Sequence, residues 1–204
     1  MKSKKIVFVG SDGSGKSNFI KFVKKKLEKS GKSVEVRFMG WRDFENPLIK
    51  AFVRGRRVKE SEEMEKNENR LNRYRNRSFL FYLAYYLEMW TRYIKIRKIK
   101  SDFVLIDRYF YDELSFASSF KQGLFDLITP KPDLCLVLRA DSKTLEKRGE
   151  NMPESDLNRF YEKLNKTASR GKMINVDSSK NFHEMYRKVK KGLRESKARC
   201  PTTP

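Results

Sequence analysis

A single α/β domain, with a five-stranded parallel sheet covered by helices on both faces, is the fold class that the 204-residue sequence predicts. Three observations carry it. Short β-branched or apolar runs alternate with segments of helical periodicity along the chain. One run, 134–138 (LCLVL), is apolar at every position, as a strand buried on both faces must be. The first run, 6–9 (IVFV), passes through a glycine-rich loop directly into a helical pattern.

Taken in order, residues 18–30 place Phe19, Ile20, Phe22, Val23 and Leu27 on one helical stripe, with Gly31 set to end it. Residues 33–38 (SVEVRF) alternate and predict a second strand. Residues 39–47 form a loop carrying Trp41 and Arg42 at the C-terminal end of that strand, the edge where open α/β sheets bind ligands. From 47 to 100 the pattern is helical and polar, with 60–77 almost wholly charged residues and Asn. Within 78–99, Phe79, Leu83, Tyr86, Leu87, Trp90 and Ile94 recur at helical spacing, alongside Phe81, Tyr82, Tyr85 and Tyr93. This aromatic stripe either packs against the core or lines an acceptor pocket with its N-terminal half, and the sequence leaves both open.

Residues 102–106 (DFVLI) predict a third strand ending at Asp107, and 111–122 a helix closed by Gly123. After the fourth strand come a short basic helix over 142–148, a loop over 149–155 (GENMPES) and a helix over 156–169. Residues 173–176 predict the fifth strand, and 181–194 a last helix with Phe182, Met185, Tyr186, Val189 and Leu193 on one side. Residues 1–195 are expected to form one domain, and 196–204 a disordered tail.

Composition narrows the class. No apolar run approaches the length of a membrane span, and the chain enters a core strand almost at once, so neither span nor signal peptide is expected. Two cysteines, one in a strand and one in the tail, argue for reduced thiols and a cytoplasmic setting. The lone histidine, His183, excludes a His-rich metal site and is expected at the surface. A net charge of +21 is the bulk anomaly. It reads first as a solvated basic surface that attracts phosphates, with binding to nucleic acid, anionic lipid headgroups or a polyanionic substrate as the competing reading. Arginines cluster between Arg54 and Arg77, but no nucleic-acid-binding motif accompanies them.

The glycine-rich loop has a pattern of its own. Gly10, Ser11, Asp12, Gly13, Ser14, Gly15, Lys16 and Ser17 fit G-x-x-x-x-G-K-[ST], the phosphate loop of nucleoside triphosphate sites. Its glycines let backbone N–H groups turn inward as a nest for anionic oxygens. The helix that starts beside it, through Asn18, adds its positive end. Lys16 is placed to reach the β- and γ-phosphates of ATP, and the Ser17 hydroxyl to ligate Mg²⁺.

A second motif, Asp107-Arg108-Tyr109, follows the third strand as the loop follows the first. A carboxylate there can hold water on Mg²⁺ or orient an attacking oxygen, and an arginine can clamp a phosphate. Together, GSDGSGKS, the DRY after the third strand, the PDLCLVL strand and the arginine-bearing segment after it resemble the thymidylate kinases in order and spacing, over about 5–190.

The resemblance implies the phosphate-loop nucleoside monophosphate kinase fold with a mobile lid, here short and at about 148–158. It implies transfer of the γ-phosphate of ATP to dTMP with Mg²⁺, and a helix-built homodimer. By the same resemblance Lys16, Asp107, Arg108 and Arg148 are catalytic, and Ser17 and Asp107 hold the metal. Gly13 at its position in the loop resembles the bacterial subtype, whose catalytic arginine lies in the lid, either Arg148 or Arg159 here. Asp12, Arg108 and Tyr109 fall on the acceptor side. Two positions depart from the family. Met39-Gly40-Trp41-Arg42 stands where an Arg-Glu-Pro-Gly segment is usual, so Arg42 is the replacement expected there. Tyr85 stands where an arginine on the preceding helix is usual, with Phe81 one turn before it. Acceptors other than dTMP, whether another nucleotide, a nucleoside or a phosphorylated sugar, therefore stay open, as does a weakly active binding protein.

Overall fold

In a computed structural model of the chain, residues 3–40, 79–114, 119–150, 152–168 and 171–198 are described. Strands β1 (Lys4–Gly10), β2 (Val34–Phe38), β3 (Phe103–Asp107), β4 (Leu134–Arg139) and β5 (Met173–Asp177) form one parallel sheet in the order β2-β3-β1-β4-β5. Helices α1 (Lys16–Glu28), α2 (Phe79–Arg97), α3 (Phe110–Leu114), α4 (Ser119–Ile128), α5 (Ser142–Glu146), α6 (Glu154–Ala168) and α7 (Phe182–Ala198) intervene.

The period of two along each strand divides the core. Ile6, Phe8, Leu105, Leu134 and Leu136 face α1 and α7, where Phe19, Val23 and Val189 cover them. Val7, Val9, Val104, Ile106, Cys135 and Val137 face the opposite way, against aromatic residues of α2, α3 and α6. Cys135 is a buried free thiol that burial keeps protonated. Strand β2 lies at the edge, and Val36 and Phe38 stay well exposed there. No helix among the described residues is long and apolar enough to cross a membrane.

Three local expectations are corrected. Gly123 does not close a helix: α3 ends at Leu114 and Gly123 lies inside α4. A Cβ there would meet nothing, so the glycine faces open space, while Phe125 of the same helix stacks on Tyr86 at 4.4 Å. Burial of that ring outweighs the helix cost of one glycine, about 1 kcal/mol. The aromatic helix also turns a different face inward. Tyr82, Tyr85, Tyr86, Met89, Tyr93 and Ile96 are buried, whereas Leu83, Leu87 and Ile94 are exposed. Two helical registers overlap in that segment, and the one rich in tyrosine fills the space over the sheet. Finally, α7 continues to Ala198, past the expected start of the tail. His183 is exposed on α7, as expected. Arg42, Trp41 and the Arg54 to Arg77 cluster lie outside the described residues.

Candidate active site

The parallel register brings the C-terminal ends of the central strands together. Phe8 pairs with Asp107, and Gly10 with Leu138. The chain leaves β1 at Gly10, where a Cβ would sit 2.4 Å from the Leu138 carbonyl oxygen, so β4 passes too close for a side chain. Gly13 (φ 71°) and Gly15 (φ 84°) adopt the left-handed region that glycine enters without strain. Gly15 caps α1 with no side-chain hydrogen bond, so the N–H groups of the first turn have no side-chain acceptor at this end. Backbone donors and the helix dipole therefore converge on the loop.

Lys16 is almost fully buried and folds back over this loop. Its Nζ donates to the carbonyls of Gly10 (2.8 Å) and Ser11 (2.7 Å) and lies 3.4 Å from Ser14 Oγ. Burial lowers its pKa, with the charge of Asp112 the main opposing influence. Ser17 Oγ donates to Asp107 Oδ2 at 3.0 Å. These two oxygens, from the start of α1 and the end of β3, form a pair of hard donors at the edge of the loop. Among the described residues no group of three or more His, Cys, Asp or Glu side chains gathers around a point. A pair of oxygen donors suits a cation that keeps several waters and takes its remaining ligands from phosphates, as Mg²⁺ does.

Arg108 follows with φ 66°, the one non-glycine residue with positive φ among those described. Such a conformation costs about 1–3 kcal/mol and persists only where neighbours enforce it. Here the Arg108 N–H is held by the Phe8 carbonyl at 3.0 Å, and the guanidinium donates from Nη2 to Asp12 Oδ1. Burial works against its charge, but Asp112 and then Asp12 outweigh that and raise its pKa. Asp112 itself is buried, accepts the Tyr109 N–H at 2.8 Å, and has its pKa raised by burial against the pull of Arg108 and Lys16. It is a third acid of the site that the sequence reading missed. Its signal was its place within one helical turn of the DRY motif. Gly40, just past β2, packs so closely that a Cβ would come within 2.6 Å of Arg108 Cδ.

From the other side, α5 delivers Arg148. Asp141 caps this helix by accepting the Thr144 N–H at 2.6 Å, and two residues past its end Arg148 Nη1 donates to the Gly13 carbonyl at 2.8 Å. Arg159 is exposed on α6 and does not line the cleft. Tyr161, also from α6, braces the loop: its hydroxyl lies 3.1 Å from Ser11 Oγ and accepts the Ala140 N–H at 2.9 Å.

The loop, Asp107, Arg108 and Arg148 thus border one open cleft of about 570 Å³, which Phe38, Glu150 and Phe182 also line. Two residues expected on the acceptor side are not among the described lining, and of the loop Gly10 and Ser11 are not either. Tyr85 is buried edge-on against Tyr86 in the aromatic core. Tyr109 is fully buried, with its hydroxyl donating to the Pro130 carbonyl at 2.7 Å. Phe81 lies in the first turns of α2, and its side chain, like Arg42, falls outside the description.

Comparison with curated proteins returns no match. Among solved structures, the fold is similar to thymidylate kinase from Candida albicans, with TM-score 0.55 and 18% identity over 96% of this chain and 93% of that one. Thymidylate kinase from Ehrlichia chaffeensis gives 0.54 and 19%, over 95% and 100%. Deoxyadenosine kinase from M. mycoides gives 0.52 and 14%, over 94% and 99%. At these identities the structural likenesses speak to fold alone. The thymidylate kinase family model, however, matches residues 8–189, nearly the whole sheet and its helices. The chain belongs to the thymidylate kinase family, and through it to the ATP-dependent nucleoside monophosphate kinases.

Proposed function

We propose that this protein transfers the γ-phosphate of ATP to dTMP. The observation that carries the reading is the convergence of the phosphate loop, Asp107, Arg108 and Arg148 on one cleft at the C-terminal edge of the sheet. The loop N–H groups and Lys16 hold the β- and γ-phosphates, and Asn18 continues the cradle into α1. Lys16 leaves its loop carbonyls when phosphate oxygens replace them as partners. Ser17 and Asp107 are the residues that would hold Mg²⁺, which supplies positive charge at the transferring group. Asp12 and Arg108 sit on the acceptor side, and Arg148 brings a cation over the loop from the short lid at about 148–158. Such an active site works mainly by positioning and charge stabilisation, because the acceptor oxygen needs little activation.

The closed core position of Tyr85 favours a second reading, in which the same machinery serves another small phosphate acceptor. ADP release from Mg²⁺-ATP, measured with dTMP and then with other nucleotides, nucleosides and sugar phosphates, separates the two, with Lys16→Ala as the blank. Turnover with dTMP supports the first reading. A response only to another acceptor replaces dTMP, and silence across the panel despite ATP binding overturns transfer altogether. We also place the protein in the cytoplasm. A homodimer is the assembly proposed, with the exposed Leu83, Leu87 and Ile94 of α2 offering apolar surface for a second copy.

A further inference from the structure

Among the described residues, a set of lysines and arginines from α1 and α7 lies on one flank, on the sheet face opposite α2. Helices α1 and α7 pack side by side there through a seam of rings. Phe22 lies 5.5 Å from Phe182, 5.1 Å from His183 and 6.2 Å from Tyr186, centroid to centroid. Cations sit on this seam from both helices: Lys26 Nζ is 5.4 Å from the centre of the Phe22 ring, and Lys190 Nζ is 5.6 Å from that of Tyr186. These contacts hold the two ammonium groups near the seam at low entropic cost.

The charges continue at helical spacing. On α7, Arg187, Lys190 and Arg194 stand at i, i+3 and i+7, which is one face of a helix, with the His183 ring one turn before them. Lys26 on α1 and Lys29 at its C-cap extend the line from Phe22. The acidic residues of these helices are engaged elsewhere. Glu28 pairs with Lys24, Glu195 with Lys172, and Glu184 bonds Asn181 at the start of α7. The α7 cations from Arg187 to Arg194 therefore span about 10 Å without a free carboxylate facing them, roughly the rise of three base pairs.

We propose that the α1–α7 flank binds the phosphate backbone of nucleic acid without reading its sequence. Lysine and arginine at regular intervals supply backbone contacts and counterion release, and the seam carries no array of carboxamide side chains to read base edges. An anionic membrane is the poorer fit, because none of the exposed large apolar residues lies on α1 or α7 to enter a bilayer. The ring seam meets the catalytic cleft at Phe182, but Lys26, Arg187, Lys190 and Arg194 do not line that cleft, so this inference stands whichever acceptor the kinase uses.

The test is fluorescence anisotropy of a labelled random-sequence DNA duplex of about 20 base pairs, titrated with the full chain between about 50 and 200 mM salt. A variant carrying Lys26→Gln, Arg187→Gln, Lys190→Gln and Arg194→Gln is compared with a control carrying Arg97→Gln, Lys98→Gln, Lys100→Gln and Lys131→Gln, which removes equal charge elsewhere. The seam variant is expected to lose about three to four from the slope of log K against log salt, while the control keeps it. Both should retain kinase turnover, since none of these residues lines the cleft. As a measurement on the unaltered chain, added duplex should protect Lys26 and Lys190 from an acetylating reagent and leave Lys98 and Lys100 reactive. Equal losses in both variants, absent protection, no duplex binding at the lowest salt, or retention on phosphatidylserine vesicles in place of duplex would each overturn the proposal.

Discussion

Ser17 Oγ donates to Asp107 Oδ2 at 3.0 Å, joining the first turn of α1 to the last residue of β3 across ninety positions of chain. The contact exists because β1 and β3 are neighbours in the sheet, in a register that places Asp107 beside Phe8. Asp107→Asn keeps the size and weakens the charge of this donor pair. It is expected to raise the Mg²⁺ concentration needed for half-maximal ADP release by about tenfold, with thermal stability little changed. An unaltered Mg²⁺ dependence would remove Asp107 from the metal site.

Arg148 and Arg159 make an internal comparison. Arg148 reaches the Gly13 carbonyl, while Arg159 stays exposed on α6. A cation delivered to transferring phosphate is worth about 10³-fold or more in kcat. Arg148→Ala should therefore lower kcat by at least about 10²-fold with ATP binding largely kept, and Arg159→Ala should leave both near wild type. The reverse ranking would exchange the two assignments.

Gly40 links two arginines. Its carbonyl accepts from Arg92 Nη1 at 3.0 Å, and its missing Cβ leaves room for Arg108 and the Phe38 ring. Gly40→Ala should push both neighbours aside and raise acceptor KM about tenfold or more, with a smaller change in ATP KM. Steady-state kinetics with each substrate varied in turn distinguishes this from general damage.

Arg92 also pairs with Glu88 at 2.9 Å, and both side chains are almost wholly buried. Arg92→Ala leaves the Glu88 carboxylate without that guanidinium, at a cost of about 3–5 kcal/mol in urea unfolding. Converting Glu88→Gln and Arg92→Met together should recover part of the loss. If the single variant costs under about 1 kcal/mol, the pair does not hold the region together.

Acid sensitivity has a local source at Asp102. Its Oδ2 accepts the Ser33 N–H at 2.9 Å and the Ser33 hydroxyl at 3.1 Å, and these bonds hold its pKa below the usual value. A depressed carboxylate contributes stability above its unfolded pKa, near 4, and loses it as pH falls through the folded value. Asp102→Asn should flatten the decline in stability below about pH 4, measured by urea melts against pH. Parallel curves for the two proteins would exclude this linkage.

Much of the site was legible because its chemistry is local. A glycine needed for φ, a lysine at the first position of a helix and an acid at a strand end fall within short windows of sequence. What was hidden depends on packing at a distance. Tyr85 was expected beside the acceptor, yet the aromatic helix rotates it into the core with Tyr82, Tyr86 and Met89. Gly123 read as a stop until Phe125 found Tyr86. Asp112 was passed over because its importance lies in facing Lys16 and Arg108, not in a pattern.

The amino-acid sequence by itself determined the alternation of strands and helices, the phosphate loop and the DRY motif, because backbone propensity, period and turn chemistry act over a few residues. Only the tertiary structure decided which face of α2 is buried, that Arg148 meets Gly13, and that the basic residues of α1 and α7 form one flank. Those outcomes follow from strand order and register, which bring together positions that no short-range preference connects.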